Sequence, residues 1–315
     1  MRKRGYSRAF AYGICASAGS IGMLIPPSIL AIVYGMLTGV SIGKVLIAGI
    51  VPGILWAILF SLTIFLISKI IPSWMPALST RPSVPWRQKL ASLLWWWPIL
   101  VSGAIIFGGI YGGAFTPTEA SAVAALVLFV LYIYRSLFRK AELKFSKRFS
   151  ELYEMLTDTA ITSAMIFFVF GAATIFSNFA VLTGLTIKFS DFVIGLGLSP
   201  LGIVILFCAV YLILGCFLDS ISMLCMTVAL FNPIVNKAGV DPIWYAVIVI
   251  LAIEIGFITP PFGINLFAVM GVAEKDVDMK DVIVGSSPFL VAELISLVIF
   301  FSFPILATYL PAFVG

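Results

Sequence analysis

SIGMLIPPSIL at residues 20–30 and EIGFITPPFGI at residues 254–264 decide how this chain is built. Each sets two adjacent prolines inside a run otherwise apolar enough for a bilayer. A proline in a helix interior removes one backbone hydrogen bond and clashes with the preceding turn, at about 3 kcal/mol. Two in series interrupt the helix, and the residue before each is pushed away from helical dihedrals. The two stretches align at a constant offset of 234 residues, Gly22 on Gly256 and Pro26–Pro27 on Pro260–Pro261. About 25 residues further on, each copy carries Gly-x-x-Pro, from Gly49 and from Gly285. A broken span, a short polar link and a second span therefore form one unit used twice.

The composition sets the medium. Of 315 residues 62% are hydrophobic and 10% charged, with a mean hydropathy of +1.16. Soluble domains carry roughly 25% charged residues. Stretches of about 20 apolar residues, enough to cross a bilayer, recur throughout, so the chain is expected to be an all-α, polytopic membrane protein. The lipid bilayer is its first partner. Cys15, Cys208, Cys216 and Cys225 lie in apolar runs without metal-ligand spacing and read as small core residues.

Basic residues cluster at Arg2–Arg8, at Arg81–Lys89 and at Arg135–Arg148. Clusters between apolar spans mark the cytoplasmic side rather than a nucleic-acid surface. Spans are expected at 9–39, 45–71, up to Gly113, from Thr116 to Tyr134, at 157–180, at 199–215, up to Val235, at 242–273 and at 283–310. Two spans separate each basic cluster from the next, so all three fall on one side. WRQKLASLLWWW (86–97) is expected to lie along the membrane surface, and FTPTEAS (115–121) to open a helix with a capping box of Thr116 and Glu119. The chain divides into 1–72 (broken span plus the following span), 73–150 (interfacial helix, scaffold spans and basic loop) and 151–315 (span, hairpin, broken span, last span).

Freed backbone groups in hydrocarbon cost several kcal/mol each unless something binds them. Unwound segments are therefore found where protein encloses a cavity, and paired Gly/Pro-interrupted spans in two halves point to a transporter's binding site. Unwound carbonyls suit Na⁺, and the helix N-termini beyond the prolines favour anions. If residues 199–240 cross once, the two broken spans are parallel. If they form a re-entrant hairpin turning near GCFLDSIS (215–222), the repeats are inverted. Asp219, with Ser220 and Ser222 between two apolar arms, suits a hairpin tip buried in protein, although a carboxylate there also reads as a helix cap.

Gly5–Tyr6, GSIGMLIPPSI, GAFTPTEASAVAAL (113–126), GCFLDSISM (215–223), AGVDPIWYAVIV (238–249) and EIGFITPPFGINLFAVMGVA (254–273) together resemble the large membrane subunit of TRAP transporters, the DctM-type family. The resemblance covers nearly the whole chain. It implies an elevator-type, Na⁺-coupled importer of carboxylate solutes such as C4-dicarboxylates or sialic acids. It further implies two partners, a small four-helix membrane subunit and a periplasmic substrate-binding protein, in a bacterial or archaeal cytoplasmic (inner) membrane. By similarity one ion site uses backbone oxygens around Gly22, Ile25 and Pro27. The other uses Gly256, Thr259 and Phe262 with Gly215 at the hairpin tip. Ser28, Asp219 and Asn265 are the polar candidates near the substrate cavity. In the family several helices and a first hairpin precede the equivalent of MRKRGY, so the resemblance also admits a non-transporting scaffold or a truncated remnant.

An intramembrane enzyme would need a nucleophile–base pair or paired carboxylates. The sequence contains no histidine, Glu119 is taken by its capping role, and Glu254 and Glu293 read as single acids without a motif partner. No cofactor beyond Na⁺, no transition metal and no nucleic acid is expected.

Overall fold

The computed structural model describes residues 1–75, 85–93, 97–138 and 145–313, and among these every regular element is helical. In chain order the helices are α1 (Arg8–Leu24), α2 (Ile29–Thr38), α3 (Ile42–Ala48), α4 (Ile50–Ile70), α5 (Trp86–Leu93), α6 (Trp97–Tyr111), α7 (Pro117–Phe138), α8 (Phe145–Leu182), α9 (Leu185–Gly195), α10 (Pro200–Gly215), α11 (Ser220–Lys237), α12 (Pro242–Ile258), α13 (Ile264–Gly271), α14 (Met279–Ser302) and α15 (Ile305–Thr308). Residues 42–70, 117–134, 150–182 and 279–302 are each long and apolar enough to cross a bilayer unbroken, and α1 with α2 forms a span bent by 43°. The protein is a multi-pass membrane protein.

The chain forms two compact units, Met1–Arg81 with Ala173–Gly315, and Pro82–Ala172. In the second unit the expected capping box is present. The Glu119 carboxylate accepts from the Thr116 N–H at 2.8 Å, and the Glu119 N–H donates to the Thr116 hydroxyl at 3.3 Å. The turn before it needs Gly113, whose φ of 66° is left-handed. Residues 86–93 do form a helix, with the Lys89 ammonium 4.8 Å from the Trp86 ring centre. Arg81, Trp95, Trp96 and residues 139–144 lie outside the described residues.

The first unit is organised around α12, in which every residue from Trp244 to Ile258 is buried. A helix apolar on all sides has no solvent or lipid face to prefer and goes to the centre. α14 packs beside it, antiparallel, with the Trp244 indole N–H donating to the Phe300 carbonyl at 2.8 Å. α1 crosses α14 at Gly13 and Gly285, where a methyl on either glycine would collide with the backbone of the other helix. Small residues at such crossings let backbones approach, the main attraction left between helices in lipid. Phe10, Phe60, Ile67, Phe289 and Ala292 form one core cluster, and Ala16, Leu266, Val277 and Val282 another.

α10 and α11 form the hairpin favoured from Asp219. Phe207 stacks on Phe231 at 4.0 Å, and the Tyr211 and Thr227 hydroxyls are hydrogen-bonded at 2.7 Å, so the arms run antiparallel from a turn at 216–219. α9 was not expected from the sequence. It precedes α10 at a bend of 119° and reaches the hairpin through Phe189, which stacks on Phe207 and Phe231. Its signal is faint, an eleven-residue helix within the stretch bounded by Gly184 and Gly197, both at left-handed φ.

The orientation of the two broken spans follows from their pairwise contacts. Arg8 meets Asp276, Tyr12 meets Glu274, Ser20 meets Asn265, and Tyr34 meets Tyr245. As the number rises along the first span it falls along the second. The repeats are inverted.

Candidate functional site

Both spans break where the prolines stand, at residues 25–28 between α1 and α2 and at 259–263 between α12 and α13. Because the spans are antiparallel, the two breaks lie abreast. Each double proline carries a cis peptide bond, Pro26–Pro27 and Pro260–Pro261. In a helix each carbonyl accepts from the N–H four residues on, and proline has none. Pro26 and Pro27 therefore cannot serve the carbonyls of Gly22 and Met23, nor Pro260 and Pro261 those of Gly256 and Phe257. The Gly256 carbonyl accepts instead from the Thr259 N–H at 3.1 Å. Each break thus withdraws two of the N–H groups that regular helix would offer to the carbonyls before it.

The first break is held by α3 and α4. Gly49 lies against Leu24 and Pro26, where an added methyl would stand 3.0 Å from the Leu24 carbonyl oxygen. Gly53 admits the Ile25 side chain, 2.6 Å from where a methyl would sit. Gly22 and Pro27 are exposed and Ile25 is 44% exposed, while Ser28 is buried and caps α2 by accepting from the Ala31 N–H at 3.3 Å.

The second break meets the hairpin tip. Gly256, in the last turn of α12, approaches Gly215 so closely that a methyl on Gly256 would lie 2.7 Å from the Gly215 Cα. Phe217 at the tip contacts Phe262 in the break, ring centres 5.2 Å apart, and Phe262 continues to Phe267. Thr259 donates its hydroxyl to the Ile255 carbonyl at 2.7 Å. Four of the expected ion-site residues, Gly215, Gly256, Thr259 and Phe262, are therefore brought together. Asp219 caps α11, its carboxylate accepting from the N–H groups of Ile221 and Ser222 at 3.1 and 3.0 Å, and its side chain is exposed. The capping reading of Asp219 is met; it also stands at a hairpin turn as expected, but exposed rather than buried in protein, because capping α11 leaves its carboxylate pointing outward.

Three relationships escaped sequence reasoning. The Asn265 amide donates to the Ser20 hydroxyl at 3.3 Å, tying the start of α13 to the end of α1. Phe217 joins the hairpin tip to the break. Glu254 and Glu293, taken as isolated acids, are both fully buried on the packed helices α12 and α14, with no hydrogen-bond partner among the described residues. The intramembrane position of a carboxylate was the signal available for the last pair.

Inverted repeats, each with a span interrupted at mid-length, define a polytopic transporter rather than an enzyme. The sequence profile of the family described as "Tripartite ATP-independent periplasmic transporter, DctM component" matches residues 1–306, and the chain belongs to that family. It is 34% identical to the C4-dicarboxylate TRAP transporter large permease protein DctM of Pseudomonas aeruginosa, covering 100% of this chain and 70% of that protein. The ectoine TRAP transporter large permease protein TeaC of Halomonas elongata is 31% identical over 98% of this chain and 69% of its own length. The sialic acid TRAP transporter large permease protein SiaM of Vibrio cholerae is 30% identical over 99% and 69%.

Proposed function

We propose that this chain is the large membrane subunit of a Na⁺-coupled importer of a carboxylate solute, of C4-dicarboxylate or sialic-acid type, working by an elevator movement in a bacterial or archaeal inner membrane. The observation that carries this reading is the pair of abreast breaks, at each of which the prolines withdraw two regular helix donors from the preceding carbonyls. Backbone carbonyls are hard oxygens that suit Na⁺, and the N-termini of α2 and α13 beyond the breaks favour a carboxylate. In this proposal Gly22, Ile25 and Pro27 hold one ion, and Gly215, Gly256, Thr259 and Phe262 the other. Ser28, Asp219 and Asn265 line the route of the solute. The partners are a small membrane subunit and a periplasmic binding protein that delivers the solute, in keeping with the tripartite description of the family. C4-dicarboxylate and sialic acid are proposed because relatives are named for them; ectoine, named for another, is itself a carboxylic acid.

The test is uptake of labelled solute by proteoliposomes holding this chain with its co-expressed small subunit, with loaded binding protein outside and Na⁺ imposed as a gradient. Uptake that requires both the gradient and the binding protein is expected, with Thr259→Ala weakening the Na⁺ dependence. Uptake indifferent to Na⁺ would remove the ion assignment, and an unaltered Na⁺ response in Thr259→Ala would remove the second site. A scaffold role predicts no uptake under any gradient.

A further inference from the structure

The basic residues at the start of the chain do more than mark a side of the membrane. The Arg8 guanidinium holds the Asp276 carboxylate at 3.0 Å and donates to the Asp276 backbone carbonyl at 2.6 Å. The same carboxylate oxygen takes Arg2 at 3.0 Å, and Arg2 also reaches Glu274 at 3.6 Å. One helical turn beyond Arg8, the Tyr12 hydroxyl accepts from the Glu274 backbone N–H at 3.2 Å. Asp276 and Glu274 lie in the link between α13 and α14, just beyond the end of the second broken span. Lys3 and Arg4 in the same cluster are exposed and take no part in these bonds.

The stripe continues towards the breaks. Arg8, Tyr12, Ala16 and Ser20 follow one another at four-residue spacing and so share one face of α1. Ala16 packs with Leu266 and Val277, and Ser20 takes the Asn265 amide. From Arg8 to Ser20 is about 18 Å of uninterrupted helix. A stiff rod pinned at one end transmits its register to the other, where the break begins. Among the described residues the opposite end of the antiparallel pair shows no such ion pair. The repeat-equivalents of Arg8 and Asp276 there are Pro242 and Ile42, neither of them charged, and the contact at that end is the Tyr34–Tyr245 ring pair.

We propose that Arg8 and Asp276, backed by Arg2 and Glu274, form an ionic latch that sets the register of the two broken spans and so holds their breaks opposite each other. They are positioning residues for the cation sites, and in that respect the inference rests on the Na⁺ reading. Single exposed ion pairs contribute little, but a shared carboxylate with a backbone anchor fixes geometry as well as charge. The latch is also placed where salt can reach it.

Two readouts keep latch and Na⁺ reading apart. The first is the rate of disulfide formation in purified protein carrying Ser20→Cys and Asn265→Cys, in a background where the four native cysteines are replaced. It reports register at the level of the breaks without reference to any ion. Arg8→Asp is expected to slow cross-linking about five- to tenfold. The swap Arg8→Asp with Asp276→Arg is expected to restore it, and Lys3→Ala to leave it unchanged. Raising choline chloride is expected to slow the parent and leave Arg8→Asp unmoved. An equal rate in parent and Arg8→Asp overturns the latch, and so does a slowed rate that the swap does not rescue, which would make Arg8 merely structural. The second readout is ²²Na⁺ binding. The proposal requires affinity to follow the cross-linking rate through the same variants. Cross-linking that responds while Na⁺ binding is absent from the parent upholds the latch and overturns the Na⁺ reading.

Discussion

Gly22 and Gly256 occupy equivalent places in the two repeats, yet the same substitution should have opposite consequences. A methyl on Gly256 would stand 2.7 Å from the Gly215 Cα and 3.1 Å from its carbonyl carbon. Both are backbone atoms, so no rotamer change relieves the overlap. Restoring an ordinary contact of 3.4 Å requires α10 and α12 to part by about 0.7 Å. Overpacking of this kind costs about 1–3 kcal/mol, against a gain of at most about 1 kcal/mol from replacing a helical glycine by alanine. A net loss of about 1–2 kcal/mol remains, or about 5–30-fold in any equilibrium that needs the hairpin tip seated on the break. A methyl on Gly22 meets nothing within 4 Å, so Gly22→Ala should be neutral or slightly stabilising. The assay is denaturant unfolding of the purified chain in detergent by tryptophan fluorescence, with ²²Na⁺ binding in parallel. Equal effects of the two substitutions, or a Gly256→Ala protein as stable as the parent, would refute the argument that Gly256 is there to let two backbones touch.

Trp244→Phe removes the 2.8 Å hydrogen bond to the Phe300 carbonyl and leaves that acceptor unserved, so unfolding stability should fall by about 1–3 kcal/mol. Glu293 is fully buried without a hydrogen-bond partner among the described residues, so Glu293→Met, close to it in volume, should raise stability by about 1–3 kcal/mol; a loss in the same assay would mean that the carboxylate makes an interaction the fold needs. Glu119→Ala opens the capping box at the start of α7 and should lower the thermal unfolding midpoint, while Glu119→Gln keeps the geometry and should lower it less than half as much.

The membrane class and the two proline interruptions with their places were legible in the chain because they depend on composition and on single residues. Proline lacks an N–H wherever it stands, and Thr116 and Glu119 cap a helix through atoms three residues apart. The hairpin was suggested by Asp219 and its neighbouring serines, a polar point between two apolar arms. α9 was not seen, because eleven residues between glycines carry no pattern that distinguishes a helix from a linker. The basic start was read only as a topological mark, since nothing local to Arg8 indicates a partner 268 residues away.

From the amino-acid sequence alone came a multi-pass, all-α protein with two matched breaks, fixed by local backbone chemistry. Only the tertiary structure decided that the broken spans run antiparallel, that their breaks lie abreast against a hairpin tip, and that Glu254 and Glu293 are both buried in the interior. The physical reason is the medium. Lipid and protein interior are equally apolar, so a membrane helix carries little pattern to say which of its faces meets protein. α12 is apolar nearly all round and lies wholly inside. What chooses its neighbours is fit, glycine against glycine at 215 and 256 and at 13 and 285, and fit exists only once both helices are in place.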